Sequence, residues 1–197
     1  MSPRRPRRSS GPRTKTPATP GPARTMTQAI QAAIFQKYLV EQSGWGVLRE
    51  VSIDDLDAAA SNRGVRRADR VPAVRRIDFL LMRISRSSKP RHERIALEVK
   101  VSRADFKRDT DDKRRAWFSV ADRFAYVVPK GLISKDEVPE GCGLIEFDDS
   151  RLTATNQLSW TVIAPKREQP PIPFSNQFFA YLLGRASRAE EKLRSIA

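Results

Sequence analysis

The stretch "IALEVKVSRADF", Ile95–Phe106, decides how this chain is read. Its apolar residues mark a buried strand, yet Glu98 and Lys100 stand inside it two residues apart. On a strand, residues two apart point to one face. Glu98 and Lys100 therefore project together, while Leu97, Val99 and Val101 project the other way. A buried ammonium costs desolvation energy unless an acid or a phosphate accompanies it. Ser102 fits a helix N-cap with Asp105 at the third helical position, the acidic form of a capping box. A helix is thus predicted to begin directly behind the charged pair.

A partner for the pair stands upstream. "RRIDFLLMRIS" reads as another strand with apolar residues on both faces, and Asp78 interrupts it between Ile77 and Phe79. Paired strands lie about 4.8 Å apart, so a suitable register brings Asp78 and Glu98 to one divalent ion. The Val99 carbonyl is a further candidate ligand. Lys100 then either positions a water or counters charge on a phosphate. With 30% charged residues in the chain, an acid–any–lysine triplet is weak by itself, and a surface salt bridge explains it better. Two acids in apolar strands, followed by a capped helix, favour an active site.

The surrounding pattern predicts an α/β domain with a mixed sheet. "TQAIQAAIFQKYLVEQSG" is helical, with Thr27 as N-cap, Gly44 as stop and Ile30, Ile34 and Tyr38 on one face together with Glu41. "GWGVLREVSI" is a strand in which Val47, Val51 and Ile53 alternate with Leu48, Glu50 and Ser52. "DDLDAAASNRGVRRADRVPAV" has no sustained period and reads as a partly ordered connection. With the next two strands, the first forms an antiparallel meander. Phe106, Thr110, Lys113, Trp117 and Val120 fall on one face of a single helix after Ser102. "RFAYVVPKGLI" follows that helix and is expected to pair parallel to an earlier strand. "CGLIEF", "SWTVIAP" and an amphipathic helix from near Phe174 complete a domain over 27–197.

Residues 1–26 are Pro, Arg, Ser, Thr and Gly with almost no apolar side chain, and are expected to form a disordered basic tail. The net charge of +14 attracts polyanions, DNA first among them. An anionic membrane is disfavoured, because no basic helix has a clean apolar face and no apolar run spans a bilayer. One cysteine, Cys142, excludes a disulfide framework and suits a reducing, cytoplasmic compartment. With a single histidine, His92, a zinc site is excluded, so any metal would be Mg²⁺ or Mn²⁺ held by carboxylates. Arginine richness suits a bacterial or phage-encoded chain. A homodimer stays open.

At these residues the chain resembles the PD-(D/E)xK nucleases, the restriction-endonuclease-like fold with an α-β-β-β-α-β core. Asp78 matches the first acid and Glu98-Val99-Lys100 the ExK element, although Ile77 replaces the usual proline. It is most similar to the MmcB-like DNA-repair nucleases, through "VLREVSI", "RRIDFLLM", "IALEVKVSRADFKRD", "DKRRAW", "DRFAYVVP" and "GLIEF". The resemblance implies a metal-dependent DNA nuclease with Asp78 and Glu98 as ligands and Lys100 as catalytic amine. It also implies an extra acid, Glu50 by the local match or Glu41 by analogy with other branches. Lys113 matches a helical lysine that contacts phosphate or supports the site, with a solvated residue as the alternative. Ser102 is a supporting residue, and Arg75, Arg76 and Arg103 are candidates for flanking phosphates. Trp45, Trp117 and Trp160 are candidates for base stacking, Trp117 fitting the core better.

Overall fold

Strands that are apolar on both faces need cover on both faces. The computed structural model supplies it, and describes residues 25–41, 44–83, 93–168 and 171–194. Six strands form one sheet in the order β1-β2-β3-β4-β5-β6. They are β1 (Trp45–Asp54), β2 (Val74–Arg83), β3 (Arg94–Val99), β4 (Arg123–Pro129), β5 (Gly143–Phe147) and β6 (Leu158–Val162). The first three form an antiparallel meander. β4 pairs parallel to β3, β5 parallel to β4, and β6 antiparallel to β5. The protein is therefore α/β with a mixed sheet, each strand beside its neighbour in sequence.

One face is covered by α1 (Met26–Phe35), its π-helical extension Gln36–Glu41, and α5 (Ala154–Gln157). Ile30, Ile34 and Tyr38 pack there with Phe79, Leu81, Leu97, Val99 and Val127. The other face carries α4 (Asp111–Val120) and α6 (Asn176–Arg194). There Trp117, Phe174 and Phe178 pack on Val51, Ile77, Leu80, Phe124 and Tyr126. Burying such aromatic and branched side chains contributes about 1.5–3 kcal/mol each before conformational entropy is subtracted.

Several local expectations are corrected. The N-cap of α1 is Thr25, which accepts from Gln28 N in a capping box, so the helix includes Met26 and Thr27. Glu41 leaves the Ile30–Ile34–Tyr38 stripe, because the wider π-helical turn rotates it out, and it is exposed. The connection after β1 holds α2 (Leu56–Ser61), capped by Asp55, and a 3₁₀ turn at Arg67–Asp69. The single helix expected after Ser102 is two: α3 (Arg103–Lys107) and α4. Thr110 takes extended backbone as the N-cap residue of α4, which breaks the period between them.

The alternation in β1 also fails. Val47 packs on the α1 face, whereas Leu48, Val51 and Ile53 pack on the α4 face. Glu50 has φ 50°, a left-handed conformation uncommon for a side-chain-bearing residue. It falls between the pairs Arg49↔Phe79 and Val51↔Ile77, opposite Asp78. On β2 the change of face occurs at the same level, with Ile77 in one core and Phe79 in the other. Arg185 of α6 donates to the carbonyls of Arg49 (2.7 Å) and Glu50 (3.3 Å), bracing the kink.

Candidate active site

The strand register fixes the first pair of acids. Phe79 pairs with Leu97, so Asp78 and Glu98 stand at adjacent positions on β2 and β3. Val99 N donates to Asp78 Oδ2 at 2.8 Å. Lys100 N donates to Val127 O on β4. The 99–100 peptide is trans, so the Val99 carbonyl points opposite to that N–H, towards β2 and Asp78. Two carboxylates and one main-chain oxygen thus lie on the β2 side of the end of β3.

Glu98 and Lys100 are 5% and 6% exposed, too buried for a surface salt bridge. Lys100 Nζ lies 3.1 Å from Glu98 Oε1, 3.5 Å from Asp109 Oδ1 and 3.8 Å from Asp105 Oδ2. Lys113 from α4 pairs with the same Glu98 Oε1. Glu98 Oε2 is buried without a hydrogen-bond partner. Burial pushes the Glu98 carboxyl up, the charge of Asp78 adds to this, and the two lysines oppose it without overcoming it. Burial likewise raises Asp78, against the Val99 N–H and the lysines, and Glu50 raises it further. Burial alone would lower Lys100, but Glu98, Asp109 and Asp105 together raise it. Lys100 is therefore an ammonium at neutral pH, suited to donating to phosphate oxygens and not to accepting a proton.

Asp109, in the break between α3 and α4, is an acid that sequence reasoning missed. Its side chain is 2% exposed. Oδ2 accepts from Tyr126 Oη at 2.5 Å and from Arg114 Nη1 at 3.1 Å. The available signal was "DTDD": a threonine followed by two acids is an N-cap pattern and marks a second helix start.

The other expected residues are placed unevenly. Glu50 is exposed, pairs with Arg76 at 3.0 Å and lies close enough to act on Asp78. Glu41 is on the α1 side, where its charge acts on Lys37. Ser102 accepts from Asp105 N, capping α3, while the Asp105 carboxylate turns to Lys100 and Arg108. Arg75 is held by Asp55 at 2.8 Å. Arg103 is turned away, onto Leu132 O and Glu137. Arg75, Arg76, Arg108, Lys100 and Lys113 line a polar cleft of about 360 Å³. Trp117 is in the core, and Trp45 and Trp160 pack on the α1 face, so none of the three lines this cleft. Cys142 is buried with its thiol pushed up to about 11, which leaves it unreactive. His92 and residues 1–24 lie outside the described residues.

The divalent cation implied by the resemblance fits this donor set. Glu98 leans towards protonation through burial and, in part, through the charge of Asp78, which a cation would offset, and its Oε2 has no hydrogen-bond partner. Hard oxygen donors suit Mg²⁺ or Mn²⁺. Among the described residues no three His, Cys, Asp or Glu side chains converge on one point, so such an ion would need the carbonyl as its third protein donor.

No protein-family model matches this chain. No curated protein matches it either. Among solved structures it is similar to a protein of unknown function from Silicibacter pomeroyi, at 20% identity and a TM-score of 0.48. That match covers 84% of this chain and 87% of the other. Among the described residues no helix is long and apolar enough to cross a membrane.

Proposed function

We propose that this chain is a metal-dependent nuclease that hydrolyses phosphodiester bonds in DNA, in repair, recombination or phage DNA processing. The observation that carries the reading is the buried Glu98–Lys100 pair with the half-buried Asp78 beside it, next to an arginine-lined cleft, with Glu98 Oε2 left unpartnered. Asp78 and Glu98, with the Val99 carbonyl beside them, are the groups that would hold Mg²⁺ or Mn²⁺. When bound, such an ion supplies an activated water and a counter-charge for the phosphate. Lys100 and Lys113 present ammonium groups to the phosphate oxygens, where charge develops in the transition state. Arg76 and Arg108 flank the cleft and suit neighbouring phosphates. Glu50 acts on Asp78 from the kink in β1.

The test is cleavage of a panel of labelled single-stranded, duplex and branched DNAs with Mg²⁺ or Mn²⁺. Cleavage by the wild type and its loss in Lys100→Ala, with an unchanged circular dichroism spectrum, is the expected result. Undiminished cleavage by Lys100→Ala sinks the assignment.

A second reading, a DNA-binding module without catalysis, is favoured by one observation. Both lysines already engage Glu98 Oε1, and among the described residues no three ligating side chains converge on one point. Calorimetric titration with Mn²⁺ separates the two, since a pure binding module need not take up the ion.

A further inference from the structure

Lys100 Nζ meets three carboxylates, and they are not equivalent. Asp105 is 39% exposed and shared with Arg108 at 3.5 Å. Glu98 is the proposed ligand, shared with Lys113. Asp109 alone is both buried and fixed from behind. Tyr126 of β4 and Arg114 of α4 both bond its Oδ2, and Arg114 Nη1 also donates to Tyr126 Oη at 3.0 Å. Oδ1 stays turned to Lys100 at 3.5 Å and to Lys113 at 4.0 Å. The break between α3 and α4 brings this acid inward, since Thr110 restarts the helix one residue later.

We propose that Asp109 is the positioning residue of this site: held by Tyr126 and Arg114, it keeps the Lys100 and Lys113 ammonium groups on one oxygen of Glu98 and leaves the other oxygen free. Without it, each lysine is held inside the cluster by Glu98, with only the partly exposed Asp105 beside Lys100. A ligand that draws on Glu98 then releases both. With it, the amines stay in place when Glu98 is engaged elsewhere. The kinetic part of this inference rests on the nuclease reading; the spectroscopic part does not.

The test uses the full chain labelled with ¹⁵N, without metal or DNA. Lysine ammonium signals are visible when the group is caged from exchange. Both Lys100 and Lys37, which is bonded to two carbonyls on the far face, should give one. In Asp109→Asn the Lys100 signal should disappear while that of Lys37 persists. The same variant should lose about 10–100-fold in kcat, the usual cost of removing an outer partner of a site. KM should stay within about twofold, because the loss falls on the transition state. A Lys100 signal retained at full intensity, or absent from the wild type, overturns the inference. So does unchanged kcat in an enzyme that cleaves. If the wild type cleaves nothing, the nuclease reading fails and the Lys100 signal still decides the role of Asp109. If Asp109→Asn does not fold, Tyr126→Phe removes one anchor, keeps Arg114, and is judged by the same loss of signal.

Discussion

Two lysines are buried in this protein to nearly the same degree, Lys37 at 8% and Lys100 at 6% exposure, and they do opposite things. Lys37 rises from the π-helical segment and donates to the carbonyls of Thr155 (3.1 Å) and Leu158 (2.5 Å). It ties α1 to the α5–β6 corner. Burial lowers its pKa, and the distant charge of Glu41 does not compensate. Lys100 instead faces Glu98, Asp105 and Asp109, and its pKa is raised. Neutral carbonyls satisfy an ammonium's hydrogen bonds while leaving its charge uncompensated. Carboxylates satisfy the hydrogen bonds and compensate the charge as well. Burial alone does not decide which way a lysine is shifted; the partners do.

The contrast can be broken most directly at Lys100. Lys100→Ala should lower DNA cleavage by roughly 10²–10³-fold, the scale of losing one preorganised donor, measured as initial rates with Mg²⁺. A smaller loss than that of Lys37→Met would invert the comparison. Next in size is the metal. At Mn²⁺ about 100 times its Kd, the folded state should gain about 2.7 kcal/mol, read as a rise in Tm. Asp78→Ala should show no such rise. Lys37→Met comes third. Leaving its two carbonyls bare should cost about 1–3 kcal/mol, and Tm should fall about 2–4 °C for each kcal/mol. Cleavage per folded molecule should not change.

The smallest effect, in denaturant melts from neutral to alkaline pH, has opposite signs at the two positions. Lys37 has a folded pKa below its ordinary 10.5, so the unfolded chain holds its proton longer. Wild-type stability gains from Lys37 as pH rises towards 10.5, and the deficit of Lys37→Met should widen. Lys100 has a folded pKa above 10.5, so its contribution is complete below that pH and is lost only above it. The deficit of Lys100→Met should stay flat to 10.5 and then shrink. Parallel curves for the two variants would show that their surroundings do not differ as described.

The strand content was legible because alternation survives wherever a strand is regular. Leu97 and Val99 do face the α1 side, Glu98 and Lys100 do share the other, and β4 does run parallel to β3. The reading failed where the backbone departs from its period. The left-handed Glu50 swaps the faces of β1, the π-helical turn removes Glu41 from its stripe, and the break at Asp109 splits a helix whose apolar spacing looked continuous. Asp109 was invisible for a further reason. Its value lies in Tyr126 and Arg114, which are 17 and 5 residues away, and in no spacing of its own.

Every strand pairs with the next one made, so nothing in the topology requires an earlier strand to wait for a distant later one. Asp78, Glu98, Lys100, Asp109, Lys113, Arg114 and Tyr126 all lie between the start of β2 and the end of β4. A nascent chain that has emerged as far as Pro129 already holds every side chain of the cluster, before β5, β6 or α6 exists. Folding from the amino end therefore meets the costly step, sealing charges inside a protein, while much of the chain is still to come. The later third adds cover from outside, Phe174 and Phe178 over the same core and Arg185 on the kink beside Asp78.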